Sequence, residues 1–226
     1  MTITSTTLTR AAGAAAAAAG ALFIGINIGH PHLDVSSITT TEVVVRSSLK
    51  VLMAALALAG ITGMYLRQVG RTGVLGLVGY AMFSVGYLTI LGTTFVAAFV
   101  LPSIADTDPG YVSDLIATTT GGSAAGDIGA MSTVNAVSGL TYLGGGLLFG
   151  IALYRARVLA RWAAALLAVG SVASVALVVM PDDSYRLLAY PNGVAMIGLG
   201  LSLWNLSRDD VATATPAREP SPAGVR

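Results

Sequence analysis

The chain contains no cysteine in 226 residues. That excludes disulfides, thiolate nucleophiles, zinc–thiolate sites and cysteine-ligated iron–sulfur clusters. Charge is also scarce: Lys, Arg, Asp and Glu supply 10% of positions against 54% apolar residues, and the formal net charge is +1. Such a chain has no basic field and no run of like charge, so nucleic acid is not an expected partner. Histidine occurs only at positions 30 and 32. Two histidines one residue apart cannot face each other from opposite helices, which excludes bis-histidine haem, and no cofactor is expected. What takes the place of charge is a set of uncharged stretches about twenty residues long, the composition of membrane spans.

The apolar segments lie near 11–29, 49–66, 73–101, 131–154, 160–180 and 187–206. The expected fold is therefore all-α, an integral membrane bundle of six transmembrane helices. Residues 1–207 form the transmembrane domain, and 208–226, "TATPAREPSPAGVR" at its core, has no apolar face and is expected to be a disordered cytoplasmic tail. The first segment, "AAGAAAAAAGALFIGINIG", has the A-x-A triplets of a cleaved signal peptide, but cleavage in the alanine run would strand "LFIGINIG" as an apolar stub, so it is read as a span. With six alternating helices Arg10, Arg67, Arg71, Arg155, Arg157, Arg161, Arg208, Arg218 and Arg226 fall on one side, leaving Arg46, Lys50 and Arg186 opposite. The excess of basic residues marks the inside, so both termini are expected to be cytoplasmic and the protein to reside in the cell inner (plasma) membrane. The connection 106–126 has Asp106, Asp108 and Asp114 and no basic residue, as an outer loop should.

Glycine supplies 27 residues. Gly25 and Gly29, Gly146 and Gly150, and the series Gly73, Gly76, Gly79 have spacings that let helix backbones approach, chiefly inside one bundle, with a homo-oligomer face as the alternative. Tyr80, Ser84 and Tyr87 form an i, i+4, i+7 stripe read as interhelical hydrogen bonding.

The segment "LYRARVLARWAAALLAVG", Leu153 to Gly170, closes one helix with Tyr and Arg, makes a short basic turn, and opens the next with Arg161 and Trp162. It resembles the corresponding hairpin of a family of uncharacterised bacterial multi-pass membrane proteins, common in actinobacteria and classed as a domain of unknown function. The resemblance implies a six-helix layout and carries no catalytic residues. Physically the hairpin is an interfacial anchor, arginines at the phosphate level and Trp162 at the headgroup boundary. "YLRQVGRTG", Tyr65 to Gly73, repeats that logic, by internal duplication or by convergence on one interface chemistry.

Counting about 1.5 Å per residue from the basic ends puts Lys50 about 25 Å, Arg46 about 31 Å and Glu42 about 37 Å up. Asn27, His30, Asn135, Tyr190 and Asn192 come to the same outer layer. Below it no Asp, Glu, Lys, Arg or His remains in any span, which counts against an ion-coupled carrier. Glu42, Arg46 and Lys50 are four apart and share a helical face, with Thr39 or Thr40 as N-cap. They form either a snorkelling anchor or, with Arg46 and Lys50 holding a phosphate or carboxylate, an anion or headgroup site. "HPHLD" reads as a turn started by Pro31 rather than a metal site, since His-x-His lacks a second ligand pair. Asp127 is expected to cap the fourth span, and "YVSDLI" to lie on the membrane through Tyr111, Val112, Leu115 and Ile116.

Two functional readings remain. One is a non-enzymatic membrane protein that binds a lipid or small amphiphile in an outer-leaflet pocket through Arg46, Glu42, Lys50, Asn135 and Asn192, or serves as a membrane-complex subunit. The other is a membrane-embedded enzyme acting on a lipidic or isoprenoid substrate, with Glu42 or Asp127 as acid and base.

Overall fold

The computed structural model describes residues 4–119, 122–176 and 189–214. Among these the chain is helical without strands: α1 (Ser5–Asn27), a 3₁₀ turn (Ser37–Thr39), α2 (Thr41–Arg67), α3 (Val69–Phe99), α4 (Leu101–Ile104), α5 (Pro109–Thr119), α6 (Met131–Ala156), α7 (Arg161–Ala176) and α8 (Ala189–Ala214). Four of them, α1, α2, α3 and α6, are long and apolar enough to cross a membrane. The outer ends of the fifth and sixth expected spans, with Asp183 and Arg186, and the tail beyond 214 lie outside the described residues.

The long helices pack in a closed ring, α1 against α2, α2 against α3, α3 against α6, α6 against α7, α7 against α8, and α8 back against α1. Neighbours run antiparallel: Gly13, early in α1, meets Gly200 and Trp204 late in α8, and Ala12 and Ala16 meet Gly63 and Gly60 late in α2. Arg10, Arg67, Arg71, Arg155, Arg157, Arg161 and Arg208 therefore gather at one end of the ring. Two of them rest on aromatic faces, Arg10 over Trp204 at 4.9 Å and Arg161 over Tyr154 at 4.3 Å.

The ring closes through glycine. A Cβ on Gly13 would stand 2.8 Å from the Gly200 carbonyl oxygen and one on Gly200 2.6 Å from that of Gly13. Gly20 and Gly193 oppose each other in the same way. Glycines seven residues apart on each helix thus bring two backbones into direct contact, where dispersion and Cα–H···O contacts replace side-chain packing. On its other flank α1 offers Ala16 to Gly60 and Ala12 to Gly63 of α2. The alanine run is thin because two helices press on it, and Ala16 is fully buried.

The expected glycine motifs divide. Gly79 lies against Leu148 and Phe149 of α6, and Gly146 and Gly150 against Ser171, Ala164 and Ala168 of α7. Gly25 and Gly29 have no neighbour within 4 Å, and Gly29 instead adopts φ +58° just past the end of α1. Gly73 likewise turns the backbone, with φ +58°, where the chain leaves the α2–α3 turn. Gly76 meets only Thr72 of its own helix.

At the end away from the arginines, the connection from α3 to α6 folds into a cap with its own core. Ile38, Val43, Leu101, Val112, Leu115, Ile116 and Ile128 bury one another there. Val112 is fully buried, so the apolar face of α5 packs on protein and not on the membrane surface as its sequence suggested. Helix α5 packs against α4 and α6 and shares an apolar cluster with Ile38 of the 3₁₀ turn, which gives that face a closer apolar partner than lipid. Asp114 holds the far wall of the cap. Its carboxylate accepts the backbone N–H groups of Ala125 at 3.0 Å and Gly126 at 2.7 Å, which pull its pKa below the ordinary carboxylate value.

Candidate functional site

Helix α2 begins where the Thr40 hydroxyl accepts the Val43 N–H at 3.4 Å, so of the two candidate caps Thr40 serves. One turn in, Glu42 and Arg46 pair as their spacing requires, at 2.9 Å. The rest of the Arg46 guanidinium turns to α1. Nη1 donates to the carbonyl oxygens of Ile26 at 2.8 Å and Ile28 at 3.0 Å, and Nη2 donates to that of Gly29 at 3.2 Å. With Nε donating to Glu42 at 3.0 Å, the fork makes four hydrogen bonds to protein acceptors, and Nη2 also pairs with the same carboxylate. The last carbonyls of a helix have no intrahelical partner, and Arg46 supplies one from the next helix. It is a clamp across the α1–α2 connection.

Lys50 does not continue the Glu42–Arg46 pair. Its ammonium donates to His30 Nε2 at 2.9 Å, while His30 Nδ1 lies 2.9 Å from the Pro31 carbonyl oxygen. An ammonium has only donors, so Nε2 accepts and the proton sits on Nδ1. Asp34 organises the following turn, accepting the Ser36 hydroxyl at 2.6 Å and the Ser37 N–H at 2.7 Å. Both bonds, the Ser36 hydroxyl first, lower its pKa. Among the described residues no three His, Asp or Glu side chains gather around a common metal position.

Asn135 and Asn192 sit elsewhere. Asn135 Nδ2 donates to the Thr118 hydroxyl at 3.0 Å, joining α6 to α5. The two residues line a groove of about 580 Å³ between the cap and α6, with Ser132, Asp127, Ala124 and Ile128. None of its described lining residues is basic. Asp127 does not cap α6: its carboxylate accepts the Gly129 N–H at 2.8 Å, and α6 starts after Ala130 without a side-chain cap. Asn192 is buried inside the bundle against Gly170 of α7. Pro191 lies in the first turn of α8, where a missing N–H costs no intrahelical bond, and so puts no bend in mid-helix.

The five residues singled out in the sequence thus occupy three neighbourhoods: Glu42, Arg46 and Lys50 at the α1–α2 connection, Asn135 in the groove, Asn192 in the interior. A common depth brought them to one layer but not to one face. The same holds for the acid and base of the enzymatic reading, Glu42 being paired to Arg46 and Asp127 to a backbone N–H. The groove itself left little trace in the sequence. Its one signal is the small polar run "GGSAAGDIGAMSTVN", which lacks apolar periodicity and any basic residue and carries one charge, Asp127.

In comparisons with known proteins, no family model, no curated protein and no solved structure matches this chain. Its chemistry has to be argued from the groove and the interior.

Proposed function

We propose that the chain is a six-span plasma-membrane protein with cytoplasmic termini, of the actinobacterial type its α6–α7 hairpin resembles, and that it binds a lipid or small amphiphile in its outer half. The arginines collected at one end of the ring favour that end as cytoplasmic. The observation that carries the binding role is the groove between the cap and α6. It places hydroxyl, amide and carboxylate groups beside Ala124 and Ile128, at the top of a helix whose Val137 and Leu140 are exposed to the surroundings. A polar head in the groove with an apolar tail along α6 satisfies both surfaces.

The lining selects the head. With Asp127 present and no Lys or Arg in contact, the groove suits an uncharged or cationic head rather than a phosphate. Arg46, the residue first expected to hold an anion, is occupied by α1. Co-purified lipid should be measured by mass spectrometry on wild type and on a Ser132→Leu/Asn135→Leu variant that fills the groove. Loss of one bound species from a folded variant supports the reading, and an unchanged lipid complement overturns it.

A further inference from the structure

The interior of the ring contains more hydrogen-bonding capacity than the chain uses. Asn192 is 4% exposed and lies beside Tyr142, whose ring packs edge to face on Tyr87. Its Oδ1 is buried and has no partner. On the stripe that carries Tyr87, one turn earlier, Ser84 Oγ is also buried and unpartnered. Ser84 is not simply following the habit of this chain, because the buried Ser171 and Ser207 bond the carbonyls of Leu167 and Leu203. The two orphaned atoms belong to a region built from phenols and aromatic rings. Tyr87 and Tyr142 meet edge to face at 5.4 Å, and Phe83 packs on both, at 4.8 and 5.4 Å.

An amide oxygen shut away from solvent is expensive, and more so at membrane depth, where bulk water cannot reach it. The chemistry of its missing partner is constrained. Oδ1 is an acceptor, so the partner must donate, which rules out a ketone, ether or ester oxygen. Among the described residues, those shown in contact with Asn192, Tyr142 or Tyr87 carry no charge, so none of them offers a counter-charge to a cation or anion. We infer that Asn192, with Tyr142 and Tyr87, forms an intramembrane site for an uncharged hydroxyl group, supplied by water or by the head of a lipid alcohol. This site is separate from the groove at Asn135 and does not depend on it.

The test uses the full chain in vesicles of deuterated phosphatidylcholine, with Asn labelled at Cγ and Leu at Cδ for solid-state NMR. Pro191–Asn192 is the one Pro-Asn pair in the sequence, so doubly labelled protein assigns the resonance without a variant. Magnetisation transfer from mobile protons is compared with exposed Asn205 and with fully buried Leu199. In ordinary water, transfer to Asn192 comparable to that at Asn205, and lost in D₂O, identifies water. Transfer that persists in D₂O when protonated farnesol is added, and is absent with farnesyl methyl ether, identifies the alcohol. Transfer no faster than at Leu199 under every condition overturns the inference. An Asn192→Leu chain gives an independent reading by thermal denaturation: farnesol should raise the midpoint of wild type and not that of the variant. If the variant does not fold, Tyr142→Phe replaces it, with the expectation of a reduced farnesol shift.

Discussion

The Arg46 guanidinium and the Ile26 carbonyl oxygen, twenty residues apart, are joined at 2.8 Å across the α1–α2 connection. Two further carbonyls and Glu42 share the same fork. A lysine has the charge but not the planar set of donors. Arg46→Lys should therefore lower stability by about 2 kcal/mol, close to Arg46→Ala, as charge-assisted hydrogen bonds of this kind typically contribute. A purely snorkelling arginine would make the lysine variant nearly silent in the same thermal denaturation. Glu42→Gln should cost under about 0.5 kcal/mol, because that carboxylate is largely exposed.

Gly20→Leu or Gly193→Leu should prevent ring closure, since each places a side chain against the backbone of the opposing helix. Size-exclusion chromatography should show aggregation or a greatly broadened species. Gly25→Ala, in open space on α1, should instead raise stability by roughly 0.5 to 1 kcal/mol.

Arg157 ends α6 with φ 56°, in the left-handed region that L side chains avoid. Arg157→Gly should stabilise the fold by about 1 kcal/mol, measured as a higher denaturation midpoint. A lower midpoint would mean that the arginine side chain contributes more than its backbone conformation costs.

Asp114 provides a pH test of the cap. Its folded pKa lies below the ordinary 3.8, so its contribution is present above that value and lost as pH falls through the folded pKa. Hydrogen exchange at Ala125 and Gly126 should be protected at neutral pH and lose that protection below about 3.8. Asp114→Asn should show the unprotected behaviour at every pH.

Orientation is tested with single cysteines in a chain that has none of its own. Gly70 and Arg155 are exposed at the arginine end, while Asp34 and Asp114 lie at the other. Ala156, in the same basic turn, is buried and a poor probe. An impermeant thiol reagent on intact cells should label only Asp34→Cys and Asp114→Cys.

What could be read in advance was whatever local spacing decides. The Thr40 cap, the Glu42–Arg46 pair and the basic turns involve residues within a few positions of one another. The acceptors of Arg46 were invisible because backbone carbonyls carry no sequence signature. The Gly13–Gly200 and Gly20–Gly193 contacts left no local mark, because glycines three or four apart on one helix are a short-range signal. The pairing lies between helices at opposite ends of the sequence, with a repeat of seven. The cap was misread because a helix that buries Val112 and Leu115 in protein has the same amphipathic pattern as one lying on lipid.

The α1–α8 seam has a consequence for biosynthesis. On the six-span reading proposed above, neighbouring hairpins such as α2–α3 and α6–α7 can assemble as soon as they enter the membrane, but the glycine face of α1 must wait for α8, Ala189–Ala214. Its contact is the most remote in the chain, so the entropy of joining distant segments makes it the slow step of assembly. Until then α1 presents bare backbone to lipid or to whatever insertion factor shields it, and a release or stall before α8 leaves an open, five-helix arc.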